Sequence, residues 1–469
     1  MKKLLIIFLL IPTLSFSSIE DISKIYGGKN KQAVLTGIIR KLVEHNFFYA
    51  AVPFVKEYLT ISSSNSKNID REIDAIMSQV GVKQFEILPE SFLRKSNAPT
   101  LKYVLAKKLF RKQKYKEVLF TLSKSIPSNH PAKPFALMLE GSTYSLLKMY
   151  NNSIMAYKEC IDVSNKQIKK ERFLVRKRQL EVNRDYCVIG IPRSQFANKK
   201  YSGAYLTYLD LPKDSLVWPE ILFEEAWNSF YLKDYNRTLG KLVTYKAPVF
   251  GHIFNPEIEV LRTLTFYEMC LWNDVKISVN EFYKKYESNT KSLSKFLNKM
   301  KKDYKYFYLL ANSYLDGKRR GNDLVNSLLS SVTRDPTYRE LMWSFERAKL
   351  ELSTLKEVRS RRAMVIIENS LKESMILQRN LIGAYVRKSM LLTLDTLKTS
   401  FKHMSYIKLE VLNRRKEDIY YARNTDKRER GDITYLKRNS KQYFWDFNGE
   451  FWADELGDYV FALRSECRQ

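Results

Sequence analysis

Four cysteines, four histidines and a group of C-terminal carboxylates carry most of the chemical potential of this 469-residue chain. The cysteines are Cys160, Cys187, Cys270 and Cys467, and no two stand in a CxxC spacing, so neither a zinc site nor a dithiol redox motif is indicated. The histidines, His45, His130, His252 and His403, are far apart, and none belongs to an HExxH or another ligand spacing. The chain contains no GxSxG, no GxxxxGK[ST] and no GxGxxG, and no Ser, His and Asp set stands out. Asp446, Glu450, Asp454, Glu455 and Asp458 include a DFNGE run, but it lacks the alternating ligands and closing Glu of a calcium loop. An acidic strip docked on basic helix residues such as Lys402, Lys408, Arg414 and Arg415 is the plainer reading. These residue types point to a protein that is not an enzyme and needs no metal or cofactor.

The compartment gives the cysteines their role. Lys2 and Lys3 precede an apolar run, Leu4 to Leu14, and Ser15, Phe16 and Ser17 supply a small-x-small site, the pattern of a cleaved signal peptide over residues 1–17. The run is well short of the roughly 20 residues that span a bilayer. No Cys follows it, which argues against a lipoprotein anchor. In an oxidising compartment four cysteines form two disulfides. Cys160 falls late in one expected helix and Cys187 near the start of the next, so these two are the first choice of pair, leaving Cys270 for Cys467. Buried free thiols packing as small hydrophobes are the alternative.

Lys and Arg number 80 against 51 Asp and Glu, a formal charge of +29. Such an excess suits nucleic acid, an anionic membrane face or acidic proteins, and export argues against nucleic acid. The abundance of Lys, Asn, Ile, Ser and Tyr is also what an AT-rich genome produces, so part of the charge has a compositional source.

What positions these residues is a repeat. Only 15 Gly and 13 Pro occur, which suits long helices joined by short turns. An aromatic followed by small or apolar residues three, seven and ten places later recurs at Phe48, Tyr115, Tyr150, Tyr201, Tyr235 and Trp272. Tyr150 follows Tyr115 by 35 residues, close to the period of about 34 of tetratricopeptide hairpins. The opening aromatic belongs at the hairpin turn. The residue three places on (Ala51, Ser153, Ala204) lets two helices approach. Preceding helices agree, with Ala106, Gly141 and Ala226 each nine residues before an opening aromatic. One hairpin cannot bury its apolar face alone, so consecutive hairpins must stack. Between Tyr150 and Tyr201 the interval is too long by about half a unit. The excess is the basic run Asn165 to Arg184, which reads as a lengthened helix with a solvated charged face. A degenerate hairpin fits around Ile69 to Arg94.

After Tyr286 the repeat weakens, although Tyr306 to Tyr314 and Leu324 to Val332 still pair as helices. From Ala363 to Asn424 a stripe of Leu371, Met375, Ile382, Val386, Met390, Leu394, Leu397, Phe401, Met404, Ile407 and Val411 predicts a helix of about 90 Å, continuous or folded back near Gly383. The segment Leu341 to Val358 is its expected partner. The last residues lean to strand, with Asn448 and Gly449 as a hairpin turn, Glu450 to Trp452 returning, and Asp458 to Leu463 as a further strand.

Leu211 to Leu242, Phe254 to Val275 and Phe444 to Cys467 resemble tetratricopeptide proteins of the deltaproteobacterial envelope, a group that includes components associated with the adventurous gliding motility machinery of myxobacteria and their predatory relatives. The resemblance implies a periplasmic or outer-membrane-associated scaffold. The chain departs from the usual small residue at Thr238 and Val275, where looser packing is expected.

The expected architecture is all-α. Residues 18–335 form a tetratricopeptide-like superhelix of about six to eight hairpins, residues 336–425 a long helical hairpin, and residues 426–469 an aromatic cap. The expected function is non-catalytic, holding other, acidic envelope proteins in the periplasm. Lys102, Tyr103, Asn228 and Tyr231 are candidates to line a partner groove, with Trp445 and Trp452 as aromatic anchors on the cap. Two alternatives stand beside it: a peripheral binder of anionic lipid or cell-wall polymer, and a cell-wall enzyme whose site carries no recognisable motif.

Overall fold

With few glycines and prolines to break them, the helices run long and end in tight turns. The computed structural model describes residues 19–62, 69–319, 321–418, 431–434, 436 and 440–467, and the expected signal peptide, 1–17, lies outside them. Among the described residues there are 19 α-helices and one pair of two-residue strands, so the protein is all-α. The chain divides into two units. The first comprises the described residues up to Leu101 together with Ser344–Leu377, and the second Lys102–Trp343 with Gln378 onward.

In the first unit α1 (Ile22–Ile25) leads into the hairpin α2 (Lys31–Glu44) and α3 (Phe48–Ile61). Asn30 caps α2 by accepting from the Ala33 amide at 3.2 Å. Leu35, Ile38, Ile39 and Leu42 from α2 and Ala51, Val55 and Tyr58 from α3 are buried. The degenerate hairpin is α4 (Asp70–Val80) followed by the single turn α5 (Glu90–Leu93). The unit is closed by the 344–377 segment: Glu351 accepts the Tyr49 and Ala50 amides at 3.0 and 2.8 Å, and the Ser370 hydroxyl donates to the Ala50 carbonyl at 2.7 Å. Glu351 thereby satisfies two of the amides that the start of α3 leaves without helical partners.

The second unit carries α6 (Pro99–Arg111), α7 (Tyr115–Ser125), α8 (Lys133–Leu146), α9 (Tyr150–Lys170), α10 (Leu174–Ala197), α11 (Tyr201–Tyr208), α12 (Trp218–Tyr231), α13 (Tyr235–Val243), α14 (Glu257–Glu268) and α15 (Trp272–Met300). Each helix from α7 onward packs on the next, and α8 also meets α10, and α12 meets α14. Further along come α16 (Tyr304–Leu315), α17 (Asp323–Arg334), α18 (Pro336–Thr354) and α19 (Arg361–Asp418). α19 is unbroken through Gly383, which settles the alternative of a fold-back there. A Cβ on Gly383 would overlap the carbonyl of Tyr304, so glycine lets α19 lie directly against the start of α16. Of the expected α19 stripe, Leu371, Ile382, Val386, Met390, Leu394, Leu397, Met404 and Ile407 are buried, while Met375, Phe401 and Val411 are only partly so. Between Leu371 and Ile382 the buried positions are Ser374 and Gln378, with the expected Met375 only half-buried beside them.

Six hairpins share one turn. Asn46, Gln113, Lys148, Lys199, Lys233 and Cys270 adopt φ between 59° and 62°, each two residues before an opening aromatic. The next amide then reaches back to the carbonyl five residues earlier, as Phe47 to Leu42 (2.8 Å), Lys114 to Leu109 (3.0 Å), Met149 to Tyr144 (2.9 Å), Lys200 to Gln195 (2.9 Å), Asp234 to Ser229 (2.9 Å) and Leu271 to Phe266 (3.0 Å). This is the six-to-one bond of a Schellman closure. Tyr115, Tyr201, Tyr235 and Trp272 each meet the aromatic ring five residues upstream, at centroid distances of 5.7, 5.2, 5.6 and 5.5 Å. Ala51, Val118, Ser153, Ala204, Thr238 and Val275, all three places after the aromatic, are buried. Looser packing at Thr238 and Val275 does not occur. The Thr238 hydroxyl donates to Asp234 (2.9 Å) and to Ala226 (3.4 Å), as Ser153 donates to Gly141 (2.7 Å), so a larger residue fits by hydrogen-bonding across the helix pair. The Tyr157 ring lies between Gly141 and Gly190, where added Cβ atoms would come within 2.7 and 2.5 Å of it.

The C-terminal residues depart from the expected hairpin. β1 (Trp445–Asp446) pairs with β2 (Tyr459–Val460), and the pairing is parallel. Gly449 does take a left-handed φ of 102°, but Glu450–Trp452 is not a returning strand. Of the acidic strip, Asp458 pairs with Lys213 at 2.7 Å, while the side chains of Arg414 and Arg415, two of its expected partners, lie outside the described residues.

Candidate interaction surface

α13 is short and carries a glycine in its interior, an unfavourable choice for an isolated helix. Its start is fixed by Asp234, which accepts from the Arg237 amide at 3.2 Å and pairs with the Arg237 guanidinium at 3.2 Å. Asn236, Arg237, Gly240 and Lys241, with Thr244 just beyond, stand at i, i+1, i+4, i+5 and i+8 and form one face. That face holds the C-terminal segment in extended form.

The grip is on main chain. The Asn236 side chain accepts from the Leu463 amide at 3.0 Å and donates to the Leu463 carbonyl at 3.1 Å, and its own carbonyl accepts from the Phe461 amide at 3.1 Å. A Cβ on Gly240 would lie 1.6 Å from the Tyr459 carbonyl oxygen, so only glycine admits the strand. The Thr244 hydroxyl accepts from the Gly457 amide at 3.1 Å. Gly457 is itself left-handed (φ 86°) and packs where a side chain would strike Trp218 of α12. Further on, the Glu466 amide donates to the Met269 carbonyl at 3.0 Å, and Cys467 is bonded to Cys270.

Side chains seal the seam. The Arg237 guanidinium lies 4.8 Å from the ring centroids of both Tyr205 and Phe444, a cation between two aromatic faces. Phe447 gathers Phe451, Tyr459 and Phe461 at 5.2, 5.2 and 5.5 Å. Lys241 is buried in an ion pair with buried Glu225 of α12. Burial pulls the Lys241 ammonium down, but Glu225 and then Asp458 outweigh it and hold its pKa above the ordinary lysine value. An adjacent network ties α10 to α12: Arg193 donates to Glu224 at 2.9 Å and to Glu220 at 3.2 Å, and the Tyr208 and Tyr186 hydroxyls donate to Glu224 (3.1 Å) and Glu220 (3.0 Å).

The expected site residues fall into two groups. Both disulfides close as paired in the sequence reading, Cys160–Cys187 with both residues buried and Cys270–Cys467 with Cys467 exposed. Tyr115, Tyr150, Tyr201, Tyr235 and Trp272 each open a second helix at equivalent turns. Of the groove candidates, Tyr231 is 51% exposed and stacks on Tyr201 at 5.1 Å, and Lys102 is half-buried. Tyr103 and Asn228 are corrections: both are buried, and Asn228 donates to the Tyr201 carbonyl at 3.0 Å, tying one hairpin to the next, so neither is available to a partner. On the cap Trp445 and Trp452 are 37% and 58% exposed. The α13 face was missed by the sequence reading, although a glycine inside a helix of nine residues is a sign of close backbone approach.

The first unit has an open cleft of about 610 Å³ lined by residues including His45, Tyr49, Arg347 and Glu351. Burial pushes the Glu351 carboxyl up to about 7, against the Tyr49, Ala50 and Phe48 amides and the Arg347 charge that favour its ionised form. Among the described residues, no group of three or more His, Cys, Asp or Glu is placed to hold a metal, and no helix is long and apolar enough to cross a membrane. Compared with protein-family models and with curated proteins, the chain matches none.

Proposed function

We propose that this chain is a non-catalytic scaffold of tetratricopeptide type that assembles other proteins in the periplasm or at the outer membrane. The observation that carries the reading is the α13 face, which holds extended polypeptide through its main chain by Asn236 and Gly240, with Thr244 fixing the turn at Gly457 just before it. The chain's own C-terminal segment occupies this face, so a client segment would bind there by displacing it, with affinity from main-chain bonds and selectivity from neighbouring side chains. The excess of 80 basic over 51 acidic residues favours acidic clients. Exposed Tyr231 and Trp452 are the aromatic anchors on offer. The expected signal peptide supports the periplasmic location, and the resemblance to gliding-motility envelope proteins supports a place in such a complex.

Cross-linking in intact cells, followed by mass spectrometry of the captured species, tests the proposal. Expected are discrete protein partners with cross-links on the second unit. Recovery of no protein partner from the intact envelope would count decisively against it.

A further inference from the structure

Beyond partner assembly, the far end of the α9/α10 hairpin has a character that stacking does not explain. The repeat needs neither helix to be this long: α9 has 21 residues and α10 has 24. α8 begins alongside Glu159, where Lys133 pairs with that residue at 3.9 Å, and Ser215, ahead of α12, donates to Asp185 at 2.6 Å. Past Ser164 on one arm and before Leu180 on the other, from Asn165 to Gln179, no residue is buried. Gln167 still donates to the His130 carbonyl ahead of α8 at 3.1 Å, so beyond that contact the three residues to Lys170 project by about 4–5 Å at 1.5 Å per residue. The buried Cys160–Cys187 disulfide and the buried Tyr157 clamp the two arms just behind the projection, so the tip is held out on a rigid stem.

The tip is apolar at its summit and cationic around it. Phe173 and Leu174 are 76% and 70% exposed, and Val175 beside them is also exposed. Between Asn165 and Leu180 there are seven Lys or Arg and one acidic residue, a net charge of 7 − 1 = +6. The single carboxylate, Glu171, is taken up by Arg176 at 3.0 Å and by the Phe173 amide at 2.9 Å. Lys169, Lys170, Arg172 and Arg178 are exposed around the apolar pair.

We propose that this tip docks on an anionic phospholipid surface, with Phe173 and Leu174 entering the headgroup–acyl boundary and the surrounding cations binding lipid phosphates. A convex apolar wedge has no cavity with which to receive a protein side chain. It matches a medium that yields to it, as the headgroup–acyl boundary yields to interfacial apolar faces that sink about 5–10 Å. The long Lys and Arg stems allow charge to stay at the phosphate level while the wedge goes deeper. A nucleic acid would satisfy the cations but give Leu174 nothing to bury against.

Full-length purified protein, sedimented with vesicles of phosphatidylcholine doped with phosphatidylglycerol, tests this against vesicles of phosphatidylcholine alone. Binding to the anionic vesicles only, weakening as salt is raised, is expected. Replacing Lys169, Lys170 and Arg172 by Gln should weaken binding roughly fivefold per charge, on the order of a hundredfold together. Phe173→Ser with Leu174→Ser should weaken it about tenfold or more. All five positions are exposed, and unchanged circular dichroism and melting will show that the variants fold. As an independent readout, Phe173→Trp should gain fluorescence quenching by brominated acyl chains above that of the parent. Equal binding to neutral vesicles, or parent-like binding by both tip variants, would overturn the proposal. So would equally tight binding to duplex DNA with no effect of the Phe173 and Leu174 changes, which would mark a general polyanion site.

Discussion

Gly240→Ala puts the α13 face to its sharpest test. The new methyl would sit 1.6 Å from the Tyr459 carbonyl oxygen, a main-chain atom that no rotamer change can move. Ordinary contact needs about 3.5 Å, so the strand must withdraw by roughly 2 Å. Withdrawal breaks the Phe461–Asn236 bond, both Leu463–Asn236 bonds and the Gly457–Thr244 bond. At about 1 kcal/mol net each these amount to ~4 kcal/mol. Alanine in place of helical glycine returns at most ~1 kcal/mol. The docking of the C-terminal segment should therefore weaken by about 3 kcal/mol, while the Cys270–Cys467 bond keeps it tethered. Hydrogen exchange reads this directly: the Phe461 and Leu463 amides should exchange about a hundredfold faster, with α8 and α9 amides unchanged. Gly203→Ala in α11, where the nearest atom lies 3.9 Å away, is the control and should leave all of these rates unaltered. Parent-like protection of Phe461 and Leu463 in the Gly240 variant would refute the reasoning.

Four further outcomes are expected. Under mild reductant without denaturant, Cys270–Cys467 should open first because Cys467 is exposed while Cys160 and Cys187 are both buried, and alkylation with mass spectrometry will order the two. Removing the long-range bond, which closes 197 residues, should cost about 5 kcal/mol in the chain-entropy account, against about 3.5 kcal/mol for the 27-residue loop, as measured by denaturant titration. Gly141→Ala and Gly190→Ala should each destabilise by about 1–3 kcal/mol through the Tyr157 ring, and the cost should shrink in a Tyr157→Leu background, a coupling that a double-mutant cycle in urea will show. Finally, Glu351 keeps its proton to about pH 7 in the folded chain against an ordinary value of 4.5, so the folded state binds more protons between those values. Its contribution to stability must fall as pH rises from 4.5 towards 7, by up to about 3 kcal/mol, and melting curves of Glu351→Gln should lose that part of the slope.

The repeat was legible because its signals are local. An opening aromatic and small or apolar residues at fixed offsets before and after it lie within about twenty residues of one another, and six copies reinforce the pattern from Phe48 to Trp272, whereas the positive-φ residue two places ahead of each aromatic carries no sequence signature. The disulfides were legible for a related reason, since helix order already placed Cys160 beside Cys187 and elimination paired the rest. The cap was not. Asn448–Gly449 and its flanking aromatics carry a hairpin signature, yet strands of two residues have too few cross-strand bonds to set their own register. Docking against Asn236 and Gly240 sets it instead, and parallel pairing of Trp445 with Tyr459 results. Asn228 misled in the opposite sense: a polar residue on a first helix reads as groove lining, but here it bridges to the Tyr201 carbonyl inside the stack. The α13 face could not be read from charge, because Arg237 and Lys241 do their work stacked and buried.

The central claim is that the α13 face binds extended polypeptide. It is met most directly by supplying residues 431–467 as a separate peptide to a chain ending at residue 430, with Cys270 replaced by Ser, and following fluorescence polarisation. Saturable binding, weakened about tenfold by Asn236→Ala, is the predicted result. Absence of saturable binding, or equal affinity in the Asn236 variant, would contradict it.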